Sequence, residues 1–149
     1  MISIVQFAEP YRDQVKTLWQ AAFGYATAHN EPGLAIDKKL AVADGLFFVA
    51  LRDGAVAGTV LAGYDGHRGW LYSVAVHAAQ RQQGIGTALV AHAEAELARR
   101  GCMKVNLQIT AGNDAVAGFY ETLGYKVEPR ISMGKVIPQN VPEGAQPAG

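Results

Sequence analysis

The chain has 149 residues, half of them hydrophobic and 17% charged, which suits one globular domain with a real core and no membrane span, since no stretch reaches ~18 consecutive apolar residues. Thirteen basic and thirteen acidic side chains cancel, so no net field draws the protein to nucleic acid or to an anionic membrane, and neither is expected as a partner. The lone Cys102 excludes an internal disulfide and a multi-cysteine metal site, so no metal is expected, and the unremarkable start Met1-Ile2-Ser3-Ile4-Val5-Gln6-Phe7 lacks signal-peptide character, so the expected compartment is cytoplasmic.

Residues 2–7 form a short β-branched apolar run and predict a strand. Glu9-Pro10 opens a helix, because proline is tolerated where a first-turn N–H has no partner. Tyr11, Val15, Leu18, Trp19 and Ala22 then recur at helical spacing and mark its buried face. Residues 24–34 break the pattern and predict a loop, followed by a weaker helix over 35–43. Residues 46–51, 56–64 and 70–76 predict three strands joined by turns at Arg52-Asp53-Gly54 and Asp65-Gly66-His67-Arg68-Gly69. The strongest helix spans 84–100, with Ile85, Leu89, Ala93 and Leu97 on one face, Glu96 paired with Arg100, and Gly101 beyond its end. A strand over 104–110, a helix over 113–123 stopped by Gly124, and a hairpin over 125–137 around Pro129 complete the order. Residues 1–137 are thus one domain. Residues 138–149 are rich in proline, glycine and polar side chains and predict a disordered tail. The fold class is α/β: a mixed, mostly antiparallel central sheet of six or seven strands flanked by about four helices.

The sharpest local signal is Arg81-Gln82-Gln83-Gly84-Ile85-Gly86-Thr87-Ala88, between a strand and a helix. Two glycines let backbone approach a ligand, and the helix start aims unpaired N–H groups at it. A pyrophosphate suits such a site; the alternative is a glycine turn with no ligand. A dinucleotide fingerprint is rejected, because Leu89 stands where a third glycine is needed and seven residues separate Val76 from Gly84. The phosphate-loop pattern is absent.

Two motifs carry a resemblance. Arg81-Gln82-Gln83-Gly84-Ile85-Gly86 matches [RQ]-x-x-G-x-[GA], and Asn113-Asp114-Ala115-Val116-Ala117-Gly118-Phe119-Tyr120-Glu121-Thr122-Leu123-Gly124-Tyr125 matches N-x-x-A-x-x-[FL]-Y-x-x-x-G-[FY], with Val116 where alanine is usual. The chain therefore resembles the GNAT superfamily of acyl-CoA N-acyltransferases over roughly residues 2–137. The turn Gly63-Tyr64-Asp65-Gly66-His67-Arg68-Gly69 is similar to that of a small bacterial branch.

The resemblance implies acetyl-CoA as cosubstrate and an amine as acceptor, and a homodimer is compatible with it. It implies that backbone N–H groups from Gln82, Gln83, Gly84, Ile85, Gly86 and Thr87, beside Arg81, hold the pyrophosphate. It further implies that the pantetheine arm lies against Val74 and Val76, that the Val74 N–H polarises the thioester carbonyl, that Asn113 holds the arm, and that Tyr120 protonates the departing thiolate. The alternative for Tyr120 is a packed core aromatic. Arg81 has the alternative of a solvated charge. His92 reads as solvated and Cys102 as a packed thiol.

A lysine-like amine has a pKa of ~10.4, so freeing its electron pair at neutral pH costs about 3.4 units, or roughly 4.6 kcal/mol. Related enzymes often relay that proton through a strand glutamate. Tyr72 and Gln108 stand at those positions here, and the text Leu107-Gln108-Ile109-Thr110-Ala111-Gly112-Asn113 departs from the L-E-V-R-x-x-N of enzymes that acetylate protein N-termini. Glu31, Asp65 and His67 remain as candidate bases, each with the alternative of a solvated loop residue. The acceptor is expected around the loop over 24–34, Glu31, Trp70, Tyr72, Gln108 and the last hairpin. The reading is an N-acetyltransferase working by direct attack on the thioester; the alternative is an acyl-CoA-binding sensor without turnover.

Overall fold

A computed structural model describes residues 1–24 and 28–139. The chain divides into two units, Met1–Asp114 and Ala115–Gly149, and residues 140–149 of the second, where a disordered tail was expected, lie outside the described residues.

In the first unit, β1 (Ile2–Gln6) leads through a 3-10 turn at Glu9–Tyr11 into helix α1 (Arg12–Phe23), with Pro10 in the turn's first positions as expected. Val15, Leu18 and Trp19 form the buried face of α1, as their spacing predicts, and Gly24 ends it in the left-handed region at φ 66°. Helix α2 (Pro32–Val42) begins three residues earlier than its apolar pattern, because Pro32 fits a first turn and Glu31 caps it. This is a correction to the loop over 24–34, of which residues 25–27 lie outside the described residues. Strands β2 (Phe47–Arg52), β3 (Ala55–Tyr64) and β4 (Gly69–Val76) form the antiparallel meander, helix α3 (Ile85–Arg99) follows, and β5 (Val105–Leu107) closes the unit's sheet.

The sheet order is β1-β2-β3-β4-β5, antiparallel except for the parallel β4–β5 pair. The α1–α2 face holds a core of Val15, Leu18, Trp19, Ile36, Phe47, Val49, Leu61 and Ala75. The other face carries α3 through Ile85, Leu89, Ala93 and Leu97. With both faces covered, β2 and β3 are buried over consecutive residues, and their sequences read as apolar runs without alternation. His92 is half-buried, with its ring edge-on to Phe48 at 4.6 Å between centroids, and so is not the solvated residue the sequence suggested. Past α3, Gly101 sits at φ 88° and the Cys102 N–H returns to the Leu97 carbonyl, the helix stop expected of glycine there.

Helix α4 (Asp114–Thr122) runs into the second unit. Gly124 ends it at φ 95°, and the Tyr125 N–H bonds the Tyr120 carbonyl. The expected hairpin over 125–137 does not form: residues 125–139 are neither helix nor strand. Val127, Ile131 and Met133 have strand-like alternation but are almost fully exposed. Alternation is not sufficient without a ladder partner, and Pro129 removes one donor. The described strands therefore number five rather than six or seven, with four α-helices. No described helix is long and apolar enough to cross a membrane.

Gly58 sets how closely α3 lies on the sheet. A Cβ there would sit 2.8 Å from the Ala75 carbonyl oxygen and 2.9 Å from Leu89 Cδ1. Gly58→Ala should therefore destabilise the protein by about 1–3 kcal/mol in urea titration, the usual cost of overpacking. A change below about 0.5 kcal/mol would mean that the helix has room to move.

Candidate active site

Two local irregularities shape β4. Its register with β3 runs Leu61↔Tyr72 and then Thr59↔Ala75, so Ser73 and Val74 together oppose Val60. This is a β-bulge, and Ser73 takes the left-handed conformation at φ 48°. The bulge is tied from β3: Trp19 Nε1 donates to Thr59 Oγ1 at 2.9 Å, and Thr59 Oγ1 donates to the Ser73 carbonyl at 2.8 Å. Trp19 and Thr59 are both buried. On its other side β4 pairs with β5 only through Gly69↔Val105, Trp70↔Asn106 and Leu71↔Leu107. Residues 72–76 extend past the last of those pairs, so the β4–β5 ladder ends just before the bulge.

From the end of β4 the chain passes through His77, whose Nδ1 accepts from the Ala79 N–H, into a 3-10 turn at Ala78–Gln80, and then into the glycine segment. Gln82 (φ 64°) and Gly84 (φ 79°) are both left-handed, and Gly84 is the N-cap of α3. No side chain caps this end, and the first intrahelical bond runs from Ala88 N–H to the Gly84 carbonyl. The N–H groups of Ile85, Gly86 and Thr87 thus open outward at the positive end of the helix dipole, where an anion is favoured. Gln82, Gln83, Gly84 and Thr87 are exposed, whereas the Ile85 side chain is core and offers only its backbone. The Arg81 Nε reaches back to the Val76 carbonyl at 3.4 Å. Val74 and Val76 are half-buried on the stretch of β4 that β5 leaves uncovered, and Asn113 is exposed after β5.

Trp70 and Tyr72 stand before the bulge. Tyr72 is 44% exposed, with the Lys39 ammonium 5.6 Å from its ring centroid. Lys39 is itself buried and held by Asp44 Oδ2 and the Ala62 carbonyl. Gln108 is exposed just beyond β5.

The carboxylates proposed as bases are occupied elsewhere. Glu31 accepts from the Gly33 and Leu34 N–H groups at 3.0 and 2.7 Å, and the bond from Leu34 is the main cause of its lowered pKa. Asp65 closes the turn before β4: its Oδ1 accepts from the Arg68 and His67 N–H groups, both at 2.7 Å, and its Oδ2 accepts from Trp70 Nε1. Those bonds, the one from Arg68 foremost, hold its pKa down to about 2. His67 is exposed in the same turn. Cys102 donates to the Lys104 carbonyl at 3.3 Å, a packed thiol.

In the second unit, Tyr120 is buried with its ring edge-on to Phe119 and Tyr125. Burial pushes its phenol up to about 12, so it is a neutral donor at pH 7.

The sequence reading placed Trp19 only on a buried helix face and assigned no role to Thr59, Ser73 or Lys39. A signal existed for two of them. Thr59 is a lone hydroxyl within the apolar run Val56-Ala57-Gly58-Thr59-Val60-Leu61, and Trp19 carries a donor on a buried helix face; each demands a partner.

A mixed sheet whose parallel pair ends at a bulge, followed by an uncapped helix N-terminus, is the acyl-CoA N-acyltransferase fold. The model of the Acetyltransferase (GNAT) family matches residues 12–125, and the chain belongs to that family. It is 43% identical over 106 residues to Acetyltransferase YE1169 of Yersinia enterocolitica, covering 71% of this chain and 75% of that one. It is similar to the crystal structure of the ribosomal-protein-S18-alanine N-acetyltransferase of Escherichia coli, at 25% identity and TM-score 0.67, over 83% of this chain and 77% of that one. It shares the fold of aminoglycoside N-acetyltransferase AAC(6')-Iy in complex with CoA, at 20% identity and TM-score 0.75, over 91% and 95% of the two chains.

The buried phenol gives a direct test. In an ultraviolet titration, the wild type minus Tyr120→Phe difference should contain one phenolate with a midpoint near 12 rather than the ordinary ~10. Because the folded value is raised, its contribution to stability is whole below pH ~10 and is lost as pH rises towards 12. A midpoint at the ordinary value would mean that the ring is solvated.

Proposed function

We propose that the protein is an acetyl-CoA-dependent N-acetyltransferase that transfers acetyl to a primary amine of a small molecule or peptide. The observation that carries this reading is the uncapped start of α3 at Gly84, at the end of a strand whose neighbour has parted from it. Backbone N–H groups over residues 82–87 fit the coenzyme's pyrophosphate, and Val74, Val76 and Asn113 fit its pantetheine arm. The Val74 N–H polarises the thioester carbonyl, and its fixed position costs no reorganisation as charge develops there.

The amine nitrogen attacks that carbonyl, the C–S bond breaks, and Tyr120 gives its proton to the leaving thiolate. The family motif around Tyr120 and its neutral phenol support this role. Trp70, Tyr72, Gln108 and Glu31 belong to the acceptor side. Glu31 and Asp65 already accept two and three hydrogen bonds, which supports a water relay rather than either carboxylate as the route for the amine's proton. No intermediate on the enzyme is required, because direct attack accounts for the products.

Coenzyme A at 100 times its dissociation constant should stabilise the fold by ~2.7 kcal/mol in a thermal shift measurement. A Cβ on Gly84 meets no protein atom within 4 Å, so Gly84→Val with Gly86→Val should remove that shift through ligand space, at a cost to the apo protein of roughly 1–2 kcal/mol for the left-handed position. A shift that survives in the double variant would move the coenzyme elsewhere.

Turnover of acetyl-CoA against a panel of primary amines tests the chemistry. With a responding amine, Tyr120→Phe should lower kcat by roughly 10²–10⁴ while leaving coenzyme A affinity in place. Coenzyme binding without turnover of any amine would favour a sensor.

A further inference from the structure

We propose that Trp19 and Thr59 are positioning residues for acyl transfer, a buried hydrogen-bond relay that turns the Ser73–Val74 peptide so that its N–H faces the gap between β4 and β5. The inference rests on the reading of the Val74 N–H as the group that polarises the thioester carbonyl. It adds what holds that donor in place.

The direction of the relay follows from the groups in it. An indole N–H can only donate and a backbone carbonyl can only accept. Thr59 Oγ1 stands between them, accepting from Trp19 at 2.9 Å and donating to Ser73 at 2.8 Å. Because Trp19 takes one of the oxygen's acceptor positions, the hydroxyl proton is left for the Ser73 carbonyl. Thr59 is 0% exposed and Trp19 1%, so water does not compete for either bond.

The orientation of the peptide follows from planarity. Thr59 lies on β3, so its bond draws the Ser73 carbonyl towards that side of β4. The peptide is trans, so the Val74 N–H points the opposite way, towards the side that β5 occupies up to Leu71↔Leu107 and then leaves. The bulge excludes both residues from the ladder register, since Val60 faces them without pairing either. Ser73 also holds φ 48°, a conformation that a residue with a Cβ keeps only where its surroundings impose it. The threonine hydroxyl is the side-chain bond that imposes it.

The functional consequence is geometric. A donor fixed before the substrate arrives stabilises the developing oxyanion, and misplacement by about 1 Å costs on the order of a hundredfold in rate. A purely structural Thr59 would satisfy two buried polar groups and leave bound thioester unaffected.

The test uses the full chain and acetyl-CoA labelled with carbon-13 at the thioester carbonyl. In isotope-edited infrared spectra, the wild type should lower the bound carbonyl stretch below that of free acetyl-CoA. Thr59→Val, which keeps shape and loses the hydroxyl, should return more than half of that shift while acetyl-CoA affinity stays within about twofold. Thr59→Ser should retain the shift. Thr59→Val strands the Trp19 N–H, so Trp19→Phe with Thr59→Val removes that orphan and serves if the single variant does not fold; it too should lose the shift. If the valine variants keep the full shift, or Thr59→Ser loses as much as Thr59→Val, the relay is overturned and the acetyltransferase reading stands. If the wild type binds no acetyl-CoA, the acetyltransferase reading fails first and takes the relay with it.

Discussion

Ser73 and Val74 share one place opposite Val60, and most of what β4 presents depends on that extra residue. A regular strand alternates faces with period two, yet Tyr72 lies under Lys39 of α2 while Ala75, three residues on, packs in the same α1–α2 core. Before the bulge, a Cβ on Gly69 would meet Leu97 of α3, so Trp70 and Tyr72 take the opposite face. After the bulge the phase is reversed. The ladder to β5 also ends here, so one irregularity separates an aromatic stretch from a valine stretch beside the last β4–β5 pair.

Such an interruption is tolerable only in a sheet that is otherwise firmly held. Both faces are covered, β2 and β3 are buried over consecutive residues, and Gly58 lets Leu89 and Ile85 of α3 lie close on β3. Close packing of α3 fixes the height of its first turn above the sheet. That turn is where Gly84 leaves the N–H groups uncapped, so the depth of the helix in the core and the place of its open end are set together. Lys39 performs a similar service on the other face, joining α2 to the Ala62 carbonyl of β3 and to Asp44 while its charge sits near the Tyr72 ring. Burying that ammonium is tolerable because anionic and carbonyl partners replace its water.

The fold was legible where one local rule had no competitor. Residues 85, 89, 93 and 97 announced α3, and β-branched runs announced the meander, because burial on one or both faces left few ways to arrange them. The hairpin over 125–137 was misread because alternation is a property of a residue pattern, whereas a strand also needs a partner edge. The start of α2 was misread because Glu31 was taken as a loop carboxylate, although a carboxylate directly before a proline is also a helix cap. The glycine segment was plain in the text. The bulge beside it was not: nothing in Leu71-Tyr72-Ser73-Val74-Ala75-Val76 says that serine will be left-handed, and the groups that bond its carbonyl lie on β3 and, through Thr59, on α1.

The same distribution of hydrogen bonds bears on how an acceptor could lose its proton. A carboxylate that accepts two or three N–H bonds is stabilised as the anion, and its weakened basicity makes it a poor proton acceptor near neutrality. Asp65, held near 2, and Glu31, lowered by its own helix start, are both of this kind. On the reading proposed, the cost of presenting a neutral amine is then set by the amine itself. It is about 3.4 units for a lysine-like group at pH 7 but only about 1 unit for an α-amino group, a difference of roughly 3 kcal/mol before any contact is made. On that reading the pH dependence of such an enzyme belongs largely to its acceptor, because the amine's own pKa sets how much of the neutral form is present.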